Sequence, residues 1–280
     1  MSGILYLCAT PIGNLDDLTF RAVKILREVD LIAAEDTRHT RKLLTHFDIH
    51  TPLIRYDEFS KVQQGEKILQ KLLAGKNIAC VSDAGLPAIS DPGADLVKLA
   101  IKNNIKICPI PGANAALSAL ICSGLSTEKF TFIGFLPNSK KNRREVLEKI
   151  LTHEETLIFY EAPHRLQKTL SELKEIFGDR KIVLARELTK IHEEFLRGKI
   201  SELEKNLSEP KGEFVIVVEG YKGESVEQNF TAENFLDAYK NLVSAGIDKK
   251  TAIRQTANKF NLSRREVYNA VVELEKNFEE

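Results

Sequence analysis

Short apolar runs alternate along the chain with segments in which apolar residues recur every three or four positions. Runs such as Ile4–Ala9, Phe214–Val218 and, after its first residue, Asn77–Val81 are continuously apolar, which is typical of strands buried on both faces of a sheet. Further strands are predicted at Asp30–Ala34, Ile105–Ile110, Phe130–Phe135, Thr156–Tyr160 and Lys181–Ala185. Between them, helical spacing predicts helices such as Leu96–Lys102 and Leu166–Phe177. This alternation predicts an α/β fold with mostly parallel sheets.

Two changes in composition divide the chain into three predicted parts. The first falls between Pro111-Gly112 and Pro137–Lys141, and the second is the polar segment Tyr221–Asn229. We therefore expect an α/β domain over 1–114, a second over 115–224 and a helical part over 230–280. In the last part, helical patterns at Lys250–Phe260 and Arg264–Leu274 flank a short turn, which is typical of a helix-turn-helix.

Composition and charge exclude several classes of protein. The 280 residues contain 40 Lys or Arg and 40 Asp or Glu, and 43% are apolar, unlike an intrinsically disordered chain. No run reaches the about 20 apolar residues of a membrane span, and no signal-peptide pattern is visible. We therefore expect a cytoplasmic protein with no membrane partner. The four cysteines match no metal-ligand spacing, so no metal site is predicted.

Glycine- and proline-containing loops with charged residues follow the predicted strands. Because ligands of parallel α/β sheets bind beyond the carboxyl ends of the strands, these loops are the candidate site. None has the GxGxxG or Walker pattern, so the common dinucleotide and triphosphate sites are not predicted. The loops are Thr10–Asn14, Glu35–Arg41, Ser82–Pro87, Pro111–Asn114, Tyr160–Arg165 and Arg186–Lys190.

The motifs in these loops, taken in order, resemble those of one family. They are ATPIGNL, AEDTRHTRKLL, SDAGLPAISDPG, PGANAALSAL, GFLP, YEAPHR and RELTKIHEEF. Over about residues 3–220 the chain resembles the RsmI-type 16S rRNA (cytidine 2′-O)-methyltransferases of the tetrapyrrole methylase superfamily. The terminal helices resemble that family's helix-turn-helix appendage.

The resemblance implies an S-adenosylmethionine-dependent enzyme whose cofactor lies in a cleft between two α/β domains. Its substrate would be a cytidine ribose in the decoding region of 16S rRNA, in the small ribosomal subunit, and the enzyme would be a homodimer. Carried over to this sequence, the methionine and ribose side of the cofactor would lie against Pro11, Asp83, Ala84, Gly85 and Leu86. The adenosine would be enclosed by Ala113, Asn114, Ala115, Ala116, Tyr160, Leu188 and Phe214.

Four residues in the loops are candidate catalytic groups. A ribose 2′-hydroxyl is a weak acid, so a base beside it would assist methyl transfer. The candidates are Glu35, Asp36, Glu187 and Lys190. Glu35 and Asp36 could instead cap the following helix, Glu187 could pair with Arg186 or Arg165, and Lys190 could bind phosphate. The sequence does not choose among these roles.

Clusters of basic residues within the neutral chain favour a structured RNA as partner. The stretch 240–268 contains seven basic and two acidic residues. The candidate RNA contacts are Arg38, Arg41, Lys140, Lys141, Arg143, Arg144, Lys250, Arg254, Arg264 and Arg265. A tetrapyrrole or other small-molecule methylase of the same fold is the alternative, although a small substrate would not require these clusters. A nucleic-acid-binding regulator is a third hypothesis, but it would not need so large an α/β scaffold.

Overall fold

The computed structural model describes residues 1–207, 210–223, 232–244, 246–259 and 267–272. The chain forms two compact units, Met1–Tyr221 and Lys222–Glu280. The first unit contains two five-stranded sheets. Among the described helices, none combines the length and the apolar character that crossing a bilayer requires.

The first sheet is entirely parallel, as the apolar runs predict. Its strands are β1 (Ile4–Cys8), β2 (Leu31–Ala34), β3 (Leu53–Arg55), β4 (Ile78–Val81) and β5 (Lys106–Ile110). They are ordered β3-β2-β4-β1-β5, and each neighbouring pair is parallel. The helices that connect them are α1 (Phe20–Glu28), α2 (Thr37–His46), α3 (Lys61–Leu73) and α4 (Ala94–Lys102).

Both faces of this sheet are covered by helices, which explains why its central strands β1, β2 and β4 are apolar at every position. Successive side chains of a strand point to opposite faces. On one face Ala79 packs in a cluster with Leu26 of α1. On the other face Cys80 packs in a cluster with Ile68 of α3 and Leu96 of α4. All four residues of β4 are buried, so this central strand anchors both layers.

The second sheet is mostly antiparallel. Its strands are β6 (Phe130–Phe135), β7 (Thr156–Glu161), β8 (Lys181–Arg186), β9 (Glu194–Lys199) and β10 (Phe214–Val218). They are ordered β6-β7-β10-β8-β9, and of these pairs only β6 with β7 is parallel. The helices of this half are α5 (Ala115–Ser123), α6 (Lys140–Lys149), α7 (Pro163–Phe177) and α8 (Ile200–Asn206).

The predicted α/β class with two sheets is confirmed, but the expectation of parallel pairing is wrong for most of the second sheet. The link between β8 and β9 covers residues 187–193. It is shorter than the crossover of about a dozen residues that a parallel pair needs. The two strands therefore pair as an antiparallel hairpin, with Arg186 opposite Glu194.

The second unit is helical over its described residues. It contains α9 (Ala232–Ser244), α10 (Lys249–Lys259) and a helical segment over 267–272. Leu236 and Tyr239 of α9 pack in one buried cluster with Ile253 of α10 and with Val267 and Val271. The predicted turn at 261–263, and with it Arg264 and Arg265, lies outside the described residues.

Candidate active site

The loops that follow β1 and β4 meet at the centre of the first sheet. The chain passes from β1 over β4 to β2, and from β4 over β1 to β5, so the two connections cross on opposite faces of the sheet. Thr10 and Gly85 join the two loops where they leave the sheet. The Thr10 N–H donates to the Gly85 carbonyl at 2.9 Å, and the Gly85 N–H donates to the Thr10 carbonyl at 3.1 Å.

A cavity of about 440 Å³ lies at this point and is lined by the ends of strands from both sheets. The first half of the chain contributes Ile12, Glu35, Asp83, Ala84, Gly85, Leu86, Ile89, Ser90, Asp91, Asn114 and Ala115. The second half contributes Phe135, Tyr160, Glu161, Ala162, Pro163, Ala185, Leu188, Glu213, Phe214 and Val215. This mixture of apolar walls and a few converging polar groups is typical of small-molecule sites.

Two of the loops at the cavity are conformationally strained. Ala88 and Ser90 have φ values of 70° and 61°, and Glu187 and Thr189 have φ values of 50° and 66°. Residues with a side chain avoid this left-handed region, which costs each of them on the order of 1 kcal/mol or more. Backbone strain of this kind concentrates at functional sites, and here it shapes both sides of one cavity.

The first half of the chain contributes three carboxyl groups to the cavity, those of Glu35, Asp83 and Asp91. Burial, together with Asp91 and Asp83, raises the pKa of Glu35 from 4.5 to about 7. Burial raises the pKa of Asp91 to about 6, with the Ser82 hydroxyl opposing the shift and Asp83 adding to it. The mutual repulsion of these groups means that a positively charged ligand would be favoured beside them.

Aromatic side chains from the second half of the chain line the same cavity as these carboxyl groups. The ring of Tyr160 makes edge-on contacts with Phe132 and Phe135, at centroid distances of 5.0 and 5.5 Å. Burial raises the pKa of the Tyr160 hydroxyl, and a hydrogen bond from the Ala116 backbone opposes the shift. Tyr160 and Phe135 both line the cavity and offer apolar surface to a planar ring.

Comparison with known proteins identifies the family. Residues 5–204 match the family described as Tetrapyrrole (Corrin/Porphyrin) Methylases. The chain belongs to this family. Two curated relatives of the methylase are both named Ribosomal RNA small subunit methyltransferase I. The one from Halalkalibacterium halodurans is 52% identical over 272 residues, which are 95% of this chain and 94% of the relative. The one from Bacillus subtilis is 51% identical over 276 residues, 96% of this chain and 94% of the relative.

A solved structure shows the same fold for the methylase. Uroporphyrin-III C-methyltransferase from Thermus thermophilus, complexed with S-adenosyl homocysteine, superposes with a TM-score of 0.55. The alignment covers 77% of this chain and 97% of that one, at 17% identity. At this identity the likeness establishes the architecture alone. Together the comparisons confirm the family and the fold that the motifs predict.

Most of the residues predicted to bind cofactor line the cavity of the methylase. Those that do are Asp83, Ala84, Gly85, Leu86, Asn114, Ala115, Tyr160, Leu188 and Phe214. Pro11, Ala113 and Ala116 are not among the lining residues. Pro11 precedes the lining residue Ile12, while Ala113 and Ala116 belong to the apolar cluster beneath the cavity. Sequence reasoning missed Asp91 and Phe135, although both lie in motifs quoted above.

The structure gives Glu35 and Asp36 different surroundings, although the sequence leaves both as candidate bases. Asp36 is the residue that caps α2: its Oδ1 accepts a hydrogen bond from the Arg38 N–H at 2.8 Å. Its carboxylate also pairs with the Arg38 guanidinium, and these hydrogen bonds hold the pKa of Asp36 well below its usual range. Glu35 instead lines the cavity.

Glu187 and Lys190 form an ion pair with each other. The Lys190 ammonium donates to Glu187 Oε1 at 2.9 Å and to Glu213 Oε2 at 3.1 Å. The hydrogen bond from Lys190, followed by that from the Glu213 N–H, lowers the pKa of Glu187. Burial disfavours the charged form of Lys190, but the hydrogen bonds to Glu187 and Glu213 outweigh it and the pKa of Lys190 is raised. Neither the Arg186 nor the Arg165 pairing of Glu187 is the one observed.

A second cavity, of about 590 Å³, adjoins the first and shares Glu35 and Asp83 with it. The rest of its lining is Asp36, Thr37, Arg38, Arg55, Asp57, Glu58 and Phe59. Sequence reasoning missed the segment Arg55–Phe59 because it follows β3, a strand of only three residues that no periodicity reveals. The signal that could have found it is an apolar Leu-Ile pair followed by a segment in which three of the four residues 55–58 are charged.

Among the described candidates for RNA binding, all but Arg143 are exposed. Arg38 and Arg41 are exposed on α2, Lys140, Lys141 and Arg144 are exposed on α6, and Lys250 and Arg254 are exposed on α10. Arg143 is only 3% exposed, and its guanidinium bonds to the carboxylate of Glu172 and to the carbonyls of Pro137 and Asn138. The expectation of an RNA contact is therefore wrong for Arg143, because its donors are already bound inside the protein.

Proposed function

We propose that this chain transfers the methyl group of S-adenosylmethionine to the ribose 2′-oxygen of a cytidine in the decoding region of 16S rRNA. The observation that carries the proposal is the near-full-length identity with relatives named for the small-subunit ribosomal RNA. The cleft between the two sheets supports it, because it is a preformed site in which a cofactor and a large acceptor would meet.

The first cavity fits S-adenosylmethionine in size and in chemistry. A volume of about 440 Å³ lies within the range of small-molecule sites. The carboxyl groups of Glu35, Asp83 and Asp91 suit the positive charges of the sulfonium and the amine, and Tyr160 with Phe135 suits the adenine ring. When bound, the cofactor supplies a methyl group on a positively charged sulfur. The work of the protein is to position the reactants and to manage one proton.

Glu35 is the residue we assign as the general base. It lines both cavities, whereas Asp36 lines only the second. Its pKa of about 7 places its proton affinity near neutral pH, where a base is most effective. Asp36 and Glu187 have lowered pKa values and are weaker bases, and Lys190 has a raised pKa and stays protonated. Glu35 would take the proton that the 2′-hydroxyl loses as the new carbon–oxygen bond forms.

The finer features of the proposal follow the resemblance. They are a homodimer, action in the cytoplasm, and three parts over 1–114, 115–224 and 230–280, of which the last contacts RNA. The compactness of the unit Lys222–Glu280 and the seven basic residues of 240–268 support a separate role for that part. Lys250 and Arg254, exposed on α10, would contact the phosphate backbone.

The deciding experiment compares small-subunit RNA from cells with and without this protein. We expect mass spectrometry to show the loss of one 2′-O-methylcytidine from the decoding region in the deletion strain. Purified protein and S-adenosylmethionine should restore it on subunits from that strain. A methylation map that is the same in both strains would contradict the proposal. Methyl transfer to a tetrapyrrole would then support the small-molecule alternative, which the family description favours.

A further inference from the structure

The second cavity lies where an acceptor would have to reach the cofactor. It is lined by residues at the ends of β2, β3 and β4, and Glu35 and Asp83 belong to both cavities. Any group that enters the first cavity from this side passes these two carboxyl groups. The two cavities therefore form adjoining compartments with Glu35 at their junction.

Most of the charge in the second cavity is already neutralised by ion pairs. Arg38 pairs with Asp36 at 2.8 Å, Arg55 pairs with Asp57, and Lys61 pairs with Glu58 at 2.6 Å. The remaining carboxyl groups among the described lining residues are those of Glu35 and Asp83. These residues thus present hydrogen-bond acceptors to a ligand, and each of their cations already has a carboxylate partner. Such a lining suits a neutral group with hydroxyl or amino donors and repels an anion.

Phe59 offers a flat apolar surface at this cavity. The residue is 98% exposed, although burial of a phenylalanine is strongly favoured. The turn that carries it is closed by hydrogen bonds: Asp57 Oδ1 accepts from the Ser60 N–H at 2.8 Å and from the Ser60 hydroxyl at 2.6 Å. The ring is therefore held in solvent by a well-bonded turn. Exposed aromatic rings of this kind stack on unpaired bases.

Two guanidinium groups stand at the rim of the same cavity. The side chains of Arg38 and Arg55 are 88% and 67% exposed, and each keeps donors beyond those used in its ion pair. Guanidinium groups bind phosphates strongly because they offer several donors in one plane. The cavity is thus acceptor-rich inside, aromatic on one wall and cationic at its edge.

We propose that the second cavity holds the acceptor nucleoside of a single-stranded RNA segment, with its base stacked on Phe59 and its ribose hydroxyls directed to Glu35. The flanking phosphates contact Arg38 and Arg55 at the rim. This arrangement rests on the proposed function, and it requires the target nucleotide to leave its stack. In this arrangement the neutral part of the nucleotide enters the acidic cavity, and its phosphates stay outside.

The test replaces Phe59 and compares it with an equally exposed phenylalanine elsewhere. Phe20 on α1 is 97% exposed and lines neither cavity, so Phe20→Ala is the matched control. The substrate is the small ribosomal subunit from a strain that lacks this protein. Methyl transfer is followed with labelled S-adenosylmethionine, and cofactor affinity is measured by calorimetry.

We expect Phe59→Ala to lower kcat/KM for the subunit by about 5- to 100-fold, since stacking on one base contributes an effect of this size. Phe59→Trp should retain the activity because it keeps an aromatic face, whereas Phe59→Leu should behave like Phe59→Ala. Affinity for the cofactor should be the same in all variants, which also shows that they fold.

The outcomes separate this inference from the proposed function. If the unmodified chain methylates the subunit and Phe59→Ala equals Phe20→Ala, the nucleoside site is wrong and the methyltransferase activity stands. If the unmodified chain does not methylate the subunit at all, the proposed function is wrong and the nucleoside site is rejected with it. An equal loss in Phe59→Leu and Phe59→Ala, with rescue by Phe59→Trp, supports stacking.

Discussion

At the residue scale, the protonation of Glu35 links activity to stability. The folded protein raises the pKa of this carboxyl from 4.5 to about 7, mainly by burial. The folded state therefore binds the proton more tightly than the unfolded state does. The stabilisation is present below about pH 4.5, falls as the pH rises, and is fully lost above about pH 7.

Glu35→Gln removes the titrating carboxyl, so the variant should be more stable than the wild type at pH values where Glu35 is ionised in the folded protein. Above about pH 7 we expect the variant to exceed the wild type in free energy of unfolding by about 1–2 kcal/mol, because the carboxyl is only half-buried and solvent screens part of the full effect. Below about pH 4.5 the two should match. Methyl transfer should fall by about 10²- to 10⁴-fold, the usual contribution of a general base. Urea denaturation across this pH range and a pH–rate profile are the two measurements.

The matched control for Glu35→Gln is Glu28→Gln, which removes an exposed carboxylate of α1. It should leave the pH dependence of both stability and rate as in the wild type. If Glu35→Gln shows no gain in stability at alkaline pH, the carboxyl is charged at neutral pH in the folded protein. The assignment of the base would then lose its electrostatic support.

The role of Glu35 could be narrowed from the sequence but not decided there. Its position after an apolar strand marks it as a loop residue at the sheet edge, as it does Asp36. The distinction depends on Asp83 and Asp91, which the fold brings to Glu35 from a loop about fifty residues along the chain. Arg143 was misjudged for the same reason, because its partner Glu172 belongs to a different helix.

At the element scale, the loop after β4 depends on the left-handed backbone of Gly85. Its φ is 78°, and a Cβ there would lie 3.4 Å from Ile12 Cγ2. Gly85→Ala should weaken binding of S-adenosylmethionine by about tenfold or more, because strain of about 1–2 kcal/mol would displace the backbone that lines the cavity. Gly124 also has a φ of 78°, but a Cβ added there would meet no atom within 4 Å, and this glycine lies outside the cavity.

Gly124→Ala is therefore the control, because it strains the backbone to a similar degree but leaves the residues that line the cavity in place. Both variants should lose a similar amount of stability in thermal unfolding. Only Gly85→Ala should lose affinity for the cofactor in calorimetry. Equal affinities in the two variants would show that the loop after β4 does not hold the cofactor.

The contact between α6 and α7 depends on the buried ion pair of Arg143 and Glu172. Arg143→Leu leaves the carboxylate of Glu172 buried without its partner, so we expect a loss of about 3–5 kcal/mol in the free energy of unfolding. The double variant Arg143→Leu with Glu172→Leu should recover most of this loss, because no buried charge remains. Denaturant titration of the two variants measures the difference.

An RNA-binding role for Arg143 predicts a different pattern. In that case Arg143→Leu would weaken binding to the small subunit while leaving the denaturation midpoint close to that of the wild type. The exposed neighbour Arg144 gives the comparison, since its ion pairs with Glu148 and Glu175 are at the surface. Arg144→Leu should change stability by no more than about 1 kcal/mol.

The elements that sequence periodicity missed are the short or half-exposed ones. The strand β3 has three residues, and β9 is a half-exposed edge strand with charged residues at Glu194, Arg197 and Lys199. Neither shows the continuous apolar pattern of β4 or β10, in which every residue is buried. Pairing direction was predicted wrongly in the second sheet, because the runs of β8 and β10 are as apolar as those of parallel strands and yet the two strands pair antiparallel.

At the scale of the whole molecule, the cavities and the basic stretch 240–268 belong to different compact units. The apolar clusters around both sheets lie within Met1–Tyr221, and Lys222–Glu280 has a cluster of its own. The sequence indicated this division through the polar segment Tyr221–Asn229. It could not indicate that strand ends from both sheets line one cavity, because that depends on how the two halves of the first unit pack.

A chain that ends at Tyr221 should keep its cofactor site and lose affinity for the subunit. Each phosphate contact that is lost should reduce the slope of log affinity against log salt by about 0.7–0.9. Binding of S-adenosylmethionine should be unchanged, because the residues that line the first cavity lie between Ile12 and Val215. Calorimetry and filter binding at several salt concentrations are the measurements.

The full-length variant Lys250→Gln with Arg254→Gln tests charge alone and should reduce the slope by a smaller amount. A truncated chain that binds subunits as tightly as the wild type at every salt concentration would place RNA recognition on the α/β unit, and the rim residues Arg38 and Arg55 would then have to supply it.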